Sequence, residues 1–162
     1  MTTELWLLRH AHAARPEHIA DFDRPLSERG KAEAEAAGRW LHKKSLVPDC
    51  IVCSPALRTL STAKIICRQL NLPESLLITD ARIYDAADDQ VLITVLSEKS
   101  GACAKTLLVG HNPALTELLV TLCQNPRLEL PTAALALVKL PKNRPLTSAK
   151  AAKLLAFHPP LA

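Results

Sequence analysis

Leu5-Trp6-Leu7-Leu8 forms an unbroken apolar run near the start of the chain, the pattern of a strand buried on both faces. The same pattern recurs at Cys50-Ile51-Val52-Cys53, at Leu76-Leu77-Ile78 and at Thr106-Leu107-Leu108-Val109-Gly110. Helical patterns separate these runs. Ser27 reads as an N-cap with Glu28 in the first turn, and Ala34, Ala37 and Leu41 follow at core spacing until Val47-Pro48-Asp49 ends the element. Ser54 followed by Pro55 predicts a second helix start, with proline at the first helical position. Ala56, Leu60, Ala63, Cys67 and Leu70 then form one apolar stripe. Asp88 predicts a third cap, ahead of Val91, Leu92, Val95 and Leu96.

Asn112-Pro113-Ala114-Leu115 echoes Ser54-Pro55-Ala56-Leu57, so one strand–turn–helix solution is expected twice. Leu115, Leu118, Leu119 and Leu122 carry the helix after it. Residues 134–140 and 153–157 read as two last strands joined by a loop containing proline and lysine. Strands alternating with helices predict an α/β fold, a three-layer sandwich with a mainly parallel central sheet flanked by helices. The 162 residues suit one domain, 1–162, with no linker, low-complexity tract or repeat.

Composition narrows the function. Hydrophobic residues are 48% and charged residues 22%, ordinary values for a soluble globular chain. A net charge of +4 is mild, and with 3% aromatic residues there are few rings for base stacking, so no nucleic-acid partner is expected. No acidic residue follows Glu129, while Lys139, Lys142, Arg144, Lys150 and Lys153 are basic. A solvated hairpin edge accounts for that bias, with electrostatic attraction of an anionic or acidic partner as the alternative. No apolar run approaches the length of a membrane span and no leader pattern opens the chain, so a cytoplasmic location is expected, with no membrane partner. The five cysteines are odd in number and scattered, which fits a reducing compartment. Cys50 and Cys53 match C-x-x-C, but residues three apart on a strand face opposite ways, so both are expected in the core.

The chemistry gathers at strand ends. Arg9-His10 ends the first strand, Arg58 lies near the helix start after the second, and His111 ends a later one. Arg9-His10 by itself reads equally as a polar turn. Arg58 by itself opposes the helix dipole, and is either an exposed arginine bearing a small penalty or one balanced by an anion. If the strands are parallel neighbours, their carboxyl ends share one crevice, where open α/β sheets bind ligands. Two histidines, two arginines and two helix starts in one crevice favour a dianion. No phosphate-cradling glycine loop is present, and two arginines would repel a divalent cation, so neither metal nor cofactor is expected.

These motifs resemble the histidine phosphatase (phosphoglycerate mutase-like) superfamily: Arg-His after the first strand, Ser-Pro-x-x-Arg-Thr after the second, Gly-His-Asn after a later one. The segment Asp23-Arg24-Pro25-Leu26-Ser27-Glu28-Arg29-Gly30 is similar to that family's approach to its first helix. Small size, and Arg-His-Ala in place of Arg-His-Gly, most resemble the SixA-type phosphohistidine phosphatases. The resemblance implies that His10 is a nucleophile taking the phosphoryl group and that Arg9, Arg58 and His111 bind its oxygens. Nearby arginines would keep His10 neutral. Asp85 lies about where the family has a proton-donating carboxylate, and helix-entry capping explains it nearly as well. Ser54 is accounted for as a cap, and His12, His18, His42 and His158 as surface or packing residues. The expected substrate is phosphohistidine on a protein, because a short chain has little material for a lid. Small phosphomonoesters or sugar phosphates are the alternative. The rival from another class is a non-catalytic phosphate- or phosphoprotein-binding module.

Overall fold

The computed structural model describes residues 2–142, 145–146 and 151–160. Its strands are β1 (Glu4–Arg9), β2 (Cys50–Cys53), β3 (Leu77–Thr79), β4 (Lys105–Gly110), β5 (Leu135–Lys139) and β6 (Lys153–His158). Its helices are α1 (Glu28–Lys43), α2 (Leu57–Leu70), α3 (Ala81–Tyr84), α4 (Asp89–Lys99) and α5 (Ala114–Cys123). The strands form one sheet in the order β3-β2-β4-β1-β5-β6. The first four are mutually parallel; β5 runs antiparallel to β1, and β6 to β5. The expected mainly parallel sandwich is therefore present, with an antiparallel hairpin at one edge. The basic positions Arg144 and Lys150 of the hairpin loop lie outside the described residues.

Strand alternation divides the core. Trp6 and Leu8 face Ala37 and Leu41 of α1 and Ala63, Ile66 and Leu70 of α2. Leu5 and Leu7 face the other way, onto Leu92 and Leu96 of α4 and Leu115, Leu118 and Leu119 of α5. Each such side chain contributes roughly 1.5–3 kcal/mol when fully buried. Cys50 and Cys53 are buried as expected. The connections leaving β1 and β4, which are neighbours, pass to opposite faces, so a crevice opens between their carboxyl ends.

Ser27 caps α1 as expected, its Oγ accepting from Gly30 N at 3.0 Å. Asp88 caps α4. Ser54 is a correction: α2 begins at Leu57 with Ala56 at the cap position, so neither Ser54 nor Pro55 takes the place the pattern predicts. The Ser54 hydroxyl instead closes a short turn, accepting from Ala56 N at 3.2 Å. The echo at Asn112 holds better. Asn112 Oδ1 accepts from Thr116 N at 3.1 Å, inside the first turn of α5.

Residues 14–25 leave the sheet and return, closed by a bridge between Ala13 and Leu26 and by Ser27 N donating to His12 O at 3.0 Å. Gly30 lies under this closure, and a Cβ there would overlap the His12 carbonyl oxygen. Backbone cannot yield as a flexible side chain can, so proximity demands glycine. Gly30→Ala is expected to lower stability by about 1–3 kcal/mol, read as a lower urea midpoint at unchanged m-value.

Candidate active site

Parallel pairing of β1 with β4 sets Arg9 opposite Gly110, so the next residues, His10 and His111, emerge side by side. His10 N donates to Gly110 O at 3.1 Å, carrying the ladder one residue further. The two rings lie 5.1 Å apart between centroids, tilted by 55°. His10 Nδ1 is 2.8 Å from Ala11 O. A carbonyl only accepts, so Nδ1 carries the proton and Nε2 keeps its lone pair. Among the described residues Nε2 has no hydrogen-bond partner, and it is not among the buried unpartnered atoms, so it opens on the cleft that His10 lines.

Two side chains hold the backbone around His10. Thr62 Oγ1 accepts from Ala11 N at 3.1 Å and donates to Arg58 O at 2.8 Å, tying the loop after His10 to α2. Glu33 of α1 is 1% exposed, and its Oε1 accepts from His12 N at 3.1 Å. Arg29 Nε lies 3.5 Å from Glu33 Oε2, which tempers the cost of burying that carboxylate.

Arg58, in the first turn of α2, is 7% exposed, which overturns the exposed-arginine reading. Its Nη1 donates to Asp21 O at 2.8 Å and its Nη2 to Asp21 Oδ2 at 3.1 Å. Asp21 belongs to the excursion between β1 and α1 and also accepts from Tyr84 OH at 2.7 Å and Arg24 Nη1 at 3.1 Å. The Tyr84 hydroxyl first, then the arginines, hold the Asp21 carboxyl well below the usual carboxylate range. The Nε–H groups of Arg9 and Arg58 are both buried with no hydrogen-bond partner.

A cleft of about 490 Å³ joins these groups, lined by Arg9, His10, Arg58, Asp85 and His111 together with His12, Arg15, Asp21, Arg24 and Tyr84. All five residues expected at the site thus share one cavity. Asp85 is not a helix-entry cap: Asp80 caps α3 and Asp88 caps α4, leaving the Asp85 side chain on the cleft wall. Burial pushes His10 down to about 4, with Arg58 and Arg9 adding to the shift against the Ala11 hydrogen bond. Burial likewise pushes His111 down to about 3, followed by His10 and Arg58. The expected neutral state is present, but desolvation outweighs the arginines as its cause.

Asp21, Tyr84, Thr59 and His12 were not legible as site residues. His12, expected at the surface or in packing, lines the cleft with Nδ1 2.7 Å from Ser27 Oγ. The sole hint for Asp21 was its place just ahead of the Arg24-Pro25 approach. Among the described residues no group of three or more His, Cys, Asp or Glu could hold a metal ion, and no helix is long and apolar enough to cross a membrane.

The depressed histidines link stability to pH. Between about pH 4 and 6.5 the unfolded chain protonates these rings and the folded chain does not, so the unfolded state binds more protons. Stability is therefore expected to fall as pH drops through that window. Urea midpoints across it are expected to slope downward toward acid, and less steeply for His10→Ala.

Comparison with known proteins places this geometry. An uncharacterised protein of Mycobacterium tuberculosis is 30% identical over 94% of this chain and 99% of its own length. The structure of a SixA protein from Agrobacterium tumefaciens, provisionally assigned as a phosphohistidine phosphatase, superposes with a TM-score of 0.82 at 27% identity, covering 99% of each chain. A protein histidine phosphatase SixA complexed with tungstate superposes at 0.79 with 24% identity over 95% of each chain, a likeness of fold. The model of the histidine phosphatase superfamily (branch 1) matches residues 5–85, half of the sequence, and shows that this chain belongs to that superfamily.

Proposed function

We propose that the protein is a phosphatase working through a phosphohistidine intermediate on His10, with no metal ion in the step, and that its substrate is phosphohistidine on a protein. The observation that carries this reading is the neutral His10 Nε2, open on a cleft that Arg9, Arg58 and His111 also line. Family membership supports phosphatase chemistry.

In the first step the Nε2 lone pair attacks phosphorus and the bond from phosphorus to the leaving atom breaks. Arg9, Arg58 and His111 hold the three equatorial oxygens, which is most of what phosphoryl transfer requires. Two carboxylates line the cleft. Asp21 is committed to Tyr84, Arg24 and Arg58 and held charged, so it is unsuited to give up a proton. Asp85, whose side chain accepts no hydrogen bond among the described residues, is the carboxyl that protonates the leaving group. Water then attacks phosphorus, Nε2 leaves with its electron pair, and Asp85 takes the proton from water.

A protein substrate is favoured by the brevity of the chain around the cleft: residues 14–25 and the Tyr84–Asp85 wall border it, and neither is long enough for a lid. The SixA assignment of the Agrobacterium relative supports the same substrate. A leaving imidazole also depends less on Asp85 than an alkoxide does.

Rapid quench with labelled substrate is expected to trap an acid-labile, base-stable phosphoenzyme in the wild type and none in His10→Ala. Turnover by that variant is expected to fall by on the order of 10³ or more. Binding without turnover in either protein would favour the non-catalytic module. Arg9→Ala is expected to lower kcat by about 10²–10³, as loss of one oxyanion donor does. A phosphorylated histidine phosphotransfer domain is expected to turn over faster than small phosphomonoesters assayed in parallel; the reverse order would transfer the reading to small esters or sugar phosphates.

A further inference from the structure

Ser54 has no capping role, yet it is fully buried, and its hydroxyl lies 2.8 Å from His111 Nε2. Thr59, also fully buried, places Oγ1 3.2 Å from the same nitrogen. We propose that these two hydroxyls fix His111 as its Nδ1–H tautomer, so that the ring turns an N–H, not a lone pair, toward the cleft. Ser54 and Thr59 are thus positioning residues acting through His111.

Ser54 Oγ already accepts from Ala56 N, and among the described residues its own proton has no other side-chain partner than His111 Nε2. Among the described residues Thr59 Oγ1 has no hydrogen-bond partner but that nitrogen. If Nε2 carried a proton, both hydroxyl protons would be buried without an acceptor, and each buried unsatisfied donor is costly. With Nε2 unprotonated, Ser54 donates along the shorter contact and Thr59 shares the lone pair over the longer one. The ring proton then sits on Nδ1. That atom has no hydrogen bond among the described residues and is not among the buried unpartnered atoms, so it is reached from the cleft that His111 lines.

The tautomer answers an electrostatic question. A neutral imidazole attracts a phosphoryl oxygen only if it presents an N–H; the other tautomer would set a lone pair against the anion. Facing rings then divide the work. His10, with its proton held by Ala11 O, offers a lone pair, and His111, with its lone pair held by two hydroxyls, offers a proton. This second half rests on the phosphatase reading, whereas the tautomer itself does not.

Long-range proton–nitrogen correlation spectra of the folded chain near pH 7 are expected to show His111 protonated on Nδ1 and bare on Nε2. Titration with inorganic phosphate is expected to move that Nδ1–H signal. In Thr59→Val combined with Ser54→Ala the Nε2–H form is expected to appear, with kcat for a phosphomonoester about tenfold lower, the loss of one hydrogen bond. Thr59→Val alone leaves the Ser54–Ala56 turn intact and is expected to shift the same signals in the same direction. Nε2–H in the wild type would overturn the proposal, as would an unchanged tautomer in both variants. An Nδ1–H signal in a wild type that hydrolyses no phosphate would sink the phosphatase reading and leave the tautomer standing.

Discussion

The parallel register of β1 against β4 is the constraint on which the site depends. One-to-one pairing from Glu4↔Lys105 to Arg9↔Gly110 ends both strands level, and each continues directly into a histidine. A shift of one residue would turn Leu5 and Leu7 onto the wrong helices and separate the rings. The apolar faces that stabilise the sandwich therefore also set the distance between His10 and His111. Packing and chemistry are specified by the same side-chain alternation, so the site needs no separate device to bring its halves together.

Electrostatics within that frame depends on exclusion from water more than on charge count. Both imidazoles are neutral chiefly because they are buried, and the arginines reinforce what desolvation begins. Asp21 supplies the opposite sign. By accepting from Nη1 through its backbone oxygen and from Nη2 through its carboxylate, it orients the Arg58 guanidinium. Because Asp21 rides on the excursion between β1 and α1, that excursion is fastened to α2 through Arg58 and to α3 through Tyr84. One carboxylate thus assembles three separate walls of the cleft.

How much of this the chain discloses depends on the reach of each interaction. Strand runs and the caps at Ser27 and Asp88 were legible because each is written in adjacent residues; Arg9, His10, Arg58 and His111 were legible as strand-end motifs taken together, and Asp85 only through the family resemblance. Thr59 and Ser54 stand 52 and 57 positions from His111, and Tyr84 stands 63 from Asp21. No local pattern marks such pairs. Ser54 misled for a clear reason: a serine before proline after a strand is a good helix start, and the same hydroxyl can turn instead toward a neighbouring strand end. The β4–β2 pairing brings that neighbour close, with Val109 opposite Cys53 and His111 just beyond.

The cleft is assembled against the stability of the fold. Two guanidinium N–H groups are buried without partners, two histidines are held from protonation, and Glu33 is buried with an ion partner 3.5 Å away. Each is a local loss that apolar packing on both faces of the sheet must offset. These losses gather beside the loop that follows His10, whereas Trp6 Nε1 and His158 Nδ1 are buried without partners elsewhere. That loop is held by Thr62 on Ala11, Glu33 on His12, and the close approach of Gly30 to His12. Because α1 and α2 clamp the loop after His10 from two sides, the groups lining the cleft are held in fixed positions before anything binds, the condition under which fixed charges and dipoles act most strongly.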